Sequence, residues 1–232
     1  MKHLNQFITE YIINKKLENP IDSEHNYKYF PTTRQELFKI TQELIDKGQY
    51  DLNCINTESI TDMNNLFVKV TDIDISGWDV SNVKDMRNMF INCENFNCDL
   101  SNWDVSKVEN MSHMFYKCGK FEGKGLENWD VHKVKNMNDM FYECKNFNCD
   151  LSNWDVYNVE DMTNMFYDCN KLDVNLSSWD VSKVENMQHM FYHCTNFKGN
   201  GLENWNVSNV THMNDIFGKC TLLKNKPSWY KE

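Results

Sequence analysis

No apolar run in this sequence approaches the 18 or more residues that a membrane span needs. The opening residues Met1-Lys2-His3-Leu4-Asn5-Gln6 lack the apolar centre of an export signal, and no cysteine stands where a lipid anchor could follow cleavage. There is no glycine-rich phosphate loop, no His-Glu-x-x-His and no Cys-x-x-Cys pair. These absences remove the usual signatures of membrane insertion, nucleotide hydrolysis and zinc chemistry, and they predict an untargeted, cytoplasmic chain. Positive charge is short too: 24 Lys/Arg stand against 34 Asp/Glu, a net charge of −10. Residues 1–50 hold seven of each sign, so the excess lies beyond them, 17 against 27. An acidic surface repels phosphate, which argues against nucleic acid or an anionic membrane as partner. A basic protein or a polar glycan fits that field better.

What the chain does have is a repeat. Trp78-Asp79-Val80 returns at Trp103, Trp129, Trp154 and Trp179, and as Trp205-Asn206-Val207, at intervals of 25 or 26 residues. The unit reads Leu100-x-x-Trp103-x-Val105-x-x-Val108-x-x-Met111-x-x-Met114-Phe115-x-x-Cys118-x-x-Phe121. A degenerate first copy runs through Leu52, Ile55, Ile60, Met63, Leu66 and Phe67, and Pro227-Ser228-Trp229 opens a stub at 224–232. A fixed period of this size predicts a solenoid of about seven coils over residues 51–232.

Leu100-x-x-Trp103-x-Val105 has the spacing of a leucine-rich-repeat strand, with Trp103 and Val105 on one side and Asn102, Asp104 and Ser106 on the other. From Val108 to Cys118 the apolar spacing becomes three, three, one and three, which predicts a short helix. Ser106-Lys107-Val108-Glu109 and Ser182-Lys183-Val184-Glu185 read as capping boxes that open it. The expected fold is therefore a right-handed α/β solenoid, one short parallel strand and one short helix or 3-10 turn per repeat. Its strands stack closer than its helices can, so the stack should bend into an arc. Residues 1–50 predict a helical N-terminal cap. Helices are expected over 4–17 and 33–47, the second opening at Thr33-Arg34-Gln35-Glu36 and stopping at Gly48.

These residues resemble the BspA-like leucine-rich-repeat surface proteins, in the subgroup with tandem Asn-Trp-Asp-Val-Ser-x-Val-x-x-Met-x-x-Met-Phe units. The resemblance covers about residues 31–232, including the lead-in Asp51–Phe67 and Pro31–Leu37 ahead of it. It implies adhesion or protein interaction, often at a cell surface, which sets a second compartment beside the cytoplasm. Two departures stand out. Cysteine fills a column (Cys93, Cys118, Cys144, Cys169, Cys194, Cys220) where family members frequently carry Ala or Gly, and the export signal of many members is missing.

Six cysteines in one column at spacings of 25 or 26, and the pairs Cys93/Cys98 and Cys144/Cys149 two coils apart, suit neither a disulfide nor one tetrahedral zinc site, and read as buried free thiols in a reducing compartment. The aspartates Asp79, Asp104, Asp130, Asp155 and Asp180 invite a calcium ladder. Each more simply caps its own turn, since calcium needs several oxygen ligands from one loop. The tyrosines Tyr116, Tyr142, Tyr167 and Tyr192 read as half-buried packing, with a grip on glycan as the alternative. Histidines fall at unrelated offsets and pair with no recurring nucleophile. The reading that follows is a non-enzymatic protein-interaction module without metal or cofactor. Its partner would dock on an acidic, polar face at His132 and Tyr157, beside Asp104, Asp130, Asp155, Asn128 and Asn153. An adhesin for host protein or glycan, and a structural subunit packed against its own copies, are the alternatives.

Overall fold

The computed structural model describes residues 26–231, so the helix expected over 4–17 lies outside the described residues. The helix expected over 33–47 forms as α1, Arg34–Asp46. Thr33 is its N-cap, accepting the Glu36 amide at 3.2 Å, while the Glu36 carboxylate accepts the Thr32 amide at 2.7 Å. It ends in a Schellman turn. Gly48 stands at φ +77°, its amide donates to Ile45, and the next amide, of Gln49, reaches back to Leu44 at 2.9 Å. Leu37, Ile40 and Leu44 bury one face against the first coil, and the Arg34 guanidinium donates to the Asn64 carbonyl.

The repeats stack, but not as expected. Beyond α1 the described residues contain one 3-10 turn, Leu126–Asn128, and isolated parallel bridges in place of strands. The strand-and-helix leucine-rich-repeat solenoid with a helical cap is thus overturned: among the described residues one α-helix and no strand form. Each coil is a chain of turns. The amides of Trp103, Val108, Met114, Cys118 and Phe121 each donate to the carbonyl three residues back, at 2.9–3.2 Å. Apolar residues recur every three positions because each turn buries its first and fourth residue, which imitates a helical face. A helix is blocked by a residue of positive φ in the third place of the Met–Met and Phe–Cys turns. His113 (+56°) stands between Met111 and Met114, and Lys117 (+59°) between Phe115 and Cys118. The supposed capping boxes open no helix either; the Glu109 amide donates to Lys84 of the preceding coil. With no strand side and no helix side, the reason for bending into an arc lapses as well.

A row of backbone bonds at matching positions joins each coil to the next. The amides of Met86, Asn88, Phe90 and Asn92 donate to Asn110, Ser112, Met114 and Tyr116, and the same four positions donate in the next coil, from Met111 to Lys117. Parallel bridges at one recurring position accompany them, from Asp62↔Asp85 to Asn186↔His212, and the first junction has a second, Asp51↔Asp74. The core behind this row is a set of aromatic files. Phenylalanines 67, 90, 115, 141, 166, 191 and 217 stack at 5.4–5.8 Å between ring centroids. The indoles from Trp103 to Trp229 stack at 6.2–6.5 Å. Every tryptophan also spends its N–H on the coil before it: Trp154 Nε1 donates to the Leu126 carbonyl at 2.8 Å, and Trp78 and Trp179 do the same at 3.0 Å.

Two coils hold 26 residues, those closing on Trp129 and Trp205, and both carry a Gly-x-Gly. Gly125 (φ +96°) and Gly201 (φ +89°) press their backbone onto the coil below, where a Cβ would lie 2.2 Å from the Ser101 nitrogen and 2.3 Å from that of Ser177. The additional residue is absorbed in a loop that only glycine can close.

Candidate functional site

Of the candidate residues, Asn128 and Asn153 stand just before a tryptophan and the rest lie on the turn that follows it. There Asp79, Asp104, Asp130, Asp155 and Asp180 each accept the amide two residues on, at 2.9–3.2 Å, and Asn206 does so for Ser208. These are the Asx turns the sequence suggests. The Ser106 hydroxyl, then its amide, holds the Asp104 carboxyl below the usual carboxylate range, and Ser182 does the same for Asp180. Two further Asx columns were not anticipated. Asp74, Asp99 and Asp150 cap Ser76, Ser101 and Ser152, while Asp85, Asn110 and Asp161 cap Arg87, Ser112 and Thr163. Their signal is legible in hindsight as Asp or Asn two residues before a small or polar one.

His132 and Tyr157 occupy a column otherwise filled by serine, in adjacent coils. His132 turns back on its own cap, Nδ1 lying 2.7 Å from Asp130, and is half-buried. Tyr157 is 44% exposed, among the most exposed large side chains described. The Lys183 ammonium lies 3.9 Å from its ring centroid, so one face of the phenol is covered by a cation from the next coil. Asn158 ties the two coils, its side chain donating to the His132 carbonyl at 2.7 Å. Asn128 is exposed, and Asn153 reaches the Glu127 carbonyl at 3.5 Å.

The face is not the acidic sheet that composition suggested. Lys107, Lys133 and Lys183 run beside the aspartates, one position past the serine column, and all three are exposed. The Lys107 and Lys183 ammonium groups donate to Asn82 and Asn158 one coil earlier, at 2.7 and 2.9 Å. Sequence reasoning passed over these cations, which share their column with Asn82, Asn158 and Asn209.

The remaining columns belong to the interior. Each column thiol donates to a phenylalanine carbonyl of the preceding coil, from Cys118 to Phe90 at 3.0 Å through Cys220 to Phe191 at 2.8 Å. Burial pushes Cys93 and Cys220 up to about 11 and the inner thiols further. All nine cysteines are free. Tyr116, Tyr142, Tyr167 and Tyr192 are half-buried and stacked at 4.6–4.9 Å. Their faces are spent on each other, which leaves a sugar ring only edges and hydroxyls to meet. Three histidines pair with carboxylates: His132 with Asp130, His113 with Asp139 at 3.5 Å and His193 with Asp168 at 2.6 Å. No helix among the described residues is long and apolar enough to cross a membrane.

Compared with known proteins, the chain matches one family twice in succession, over residues 33–125 and again over 120–230. The family is described as Mycoplasma protein of unknown function, DUF285. The chain belongs to this family. In this DUF285 chain the first match ends, and the second begins, around the Gly123–Gly125 loop of a 26-residue coil. No curated protein and no solved structure matches it.

Proposed function

We propose that the chain is a non-enzymatic protein-interaction module, and that its binding surface is the turn face carrying His132 and Tyr157. One observation supports this above the others. The recurring positions are consumed in holding coils together, as indole donors, thiol donors, stacked rings and Asx caps, whereas the serine column departs from its rule at two adjacent places and exposes an aromatic ring there. Exposed aromatics at the centre of a polar face are the usual anchors of an interface. Free thiols throughout favour a reducing, cytoplasmic setting for the interaction. Affinity capture from the native source should recover a partner that is lost when His132→Ala and Tyr157→Ala are combined. A complex indifferent to that double substitution would remove this face from consideration.

The resemblance to BspA-like surface proteins favours a second reading, an adhesin outside the cell. Labelling of intact cells with an impermeant reagent separates the two, since only the adhesin would be modified.

A further inference from the structure

The two 26-residue coils close on loops of one form, Gly123-Lys124-Gly125-Leu126-Glu127 and Gly199-Asn200-Gly201-Leu202-Glu203, which differ in two respects. In the first loop the Gly125 amide donates to the Glu127 carboxylate at 3.0 Å. In the second, Gly201 is buried and its amide finds no acceptor among the described residues, although Glu203 stands at the same offset. A buried backbone N–H left without a partner is rare. The other difference is that Asn200 stands where the first loop has Lys124, which makes the one Asn-Gly step of the whole sequence. The Asn200 side chain is exposed, and no hydrogen bond from the described residues holds it.

We propose that Asn200 is a site of spontaneous deamidation, in which the Gly201 nitrogen attacks the Asn200 side chain and the loop gains a methylene. Glycine has no Cβ to shield its own nitrogen, so the approach is open. The Gly201 nitrogen gives up its proton and bonds to Asn200 Cγ, while the Cγ–Nδ2 bond breaks. Nδ2 departs with that proton as ammonia and leaves a five-membered succinimide. Water then opens the ring. Cleavage between Cγ and the nitrogen gives aspartate. Cleavage between the nitrogen and the Asn200 carbonyl carbon gives an isoaspartyl link, with the main chain running through Cβ and Cγ. Water is the one co-reactant, and an open recess lined by Asn175, Ser177, Asn200 and Asn225 admits it.

In this fold the added methylene has a structural consequence. The Asn200 carbonyl accepts the Leu176 amide at 3.1 Å. The next residue, Gly201, lies so close to the coil below that a Cβ on it would sit 2.3 Å from the Ser177 nitrogen. These two anchors flank the inserted methylene, so one of them must shift, and the last coil loosens from its neighbour. The modification is independent of what the turn face binds.

Peptide mapping by mass spectrometry, after the full chain has stood in mildly alkaline buffer, tests it. Deamidation should appear at Asn200 ahead of every other asparagine, with the isoaspartyl product separated chromatographically from aspartate. Lys124→Asn builds the same Asn-Gly step in the first loop, where the Glu127 carboxylate holds the glycine nitrogen. Freeing that nitrogen means giving up a hydrogen bond to a charged group, so the new step should convert on the order of tenfold more slowly than Asn200. The aged wild type should melt at a lower temperature than the fresh protein, whereas Asn200→Gln should age without that fall. An Asn200 that stays intact while other asparagines convert, or equal rates in the two loops, overturns the proposal. Conversion of Asn200 at an unchanged melting temperature overturns the loosening of the last coil.

Discussion

Single side chains do two tasks in this molecule, filling space and closing a bond to the coil before. Trp154 shows the combination, stacked between two indoles and bonded through Nε1 to the Leu126 carbonyl. Trp154→Phe keeps much of the ring but orphans a buried carbonyl, and should cost about 1–3 kcal/mol in urea unfolding followed by far-UV circular dichroism. Gly125→Ala is expected to cost about 1–3 kcal/mol, because a methyl at φ +96° would press into the Ser101 backbone. At Gly119 an added methyl would meet only Glu94, whose side chain and carbonyl would lie 3.8–3.9 Å away, so alanine should be accepted there with little change. At this scale the sequence was informative about burial. Every Trp, Val, Met, Phe and Cys of the unit from Leu100 to Phe121 lies in the core. It was silent about the thiol donors, because nothing in spacing distinguishes a cysteine that fills a gap from one that also bonds a carbonyl.

Elements were harder to read. For α1 both ends were visible, and the structure uses the expected signals, Thr33 with Glu36 at the start and Gly48 at the stop. Thr33→Ala should accordingly destabilise the protein by about 1 kcal/mol in the same urea measurement. Within the coils the reasoning failed for a physical cause. Consecutive four-residue turns and a helix both bring residues three apart onto one side, so periodicity cannot separate them. The third residue of the Met-x-x-Met turn does: Asn88, His113, Asp139, Asn164 and His189 all sit near φ +55°, in the conformation that Asn, Asp and His tolerate best. Replacing Asn164 by isoleucine, whose β-branch opposes that conformation, should lower stability more than replacing it by glycine does. The reverse order would mean that the turn assignment is wrong.

For the whole molecule, protonation of the buried thiols links fold to pH. Their folded values lie above the ordinary value near 9, at about 11 for Cys93 and Cys220, so the neutral thiol is favoured in the folded state. The associated stability is complete below pH 9 and is lost as pH rises through 11. Melting temperature should fall steeply over that interval, and less steeply in a Cys118→Ala/Cys169→Ala variant. At the acid end the Lys124 ammonium, helped by Ser101, holds Asp99 down to about 2. Such a group favours the folded state above its ordinary value near 4 and ceases to as pH falls through 2. Its exposure makes that contribution small. The 25- or 26-residue period was legible as a repeat, but not the row of amides that ties each coil to the next. The candidate face was legible only in part, since composition reported a net charge and not the alternation of aspartate and lysine files along it.

Each row of inter-coil bonds joins one coil only to the next, so tension applied along the chain has no long-range contact to work against. Pulled by its two ends in an optical trap, the molecule should surrender contour length in regular steps of 25 or 26 residues, like a zip opened tooth by tooth.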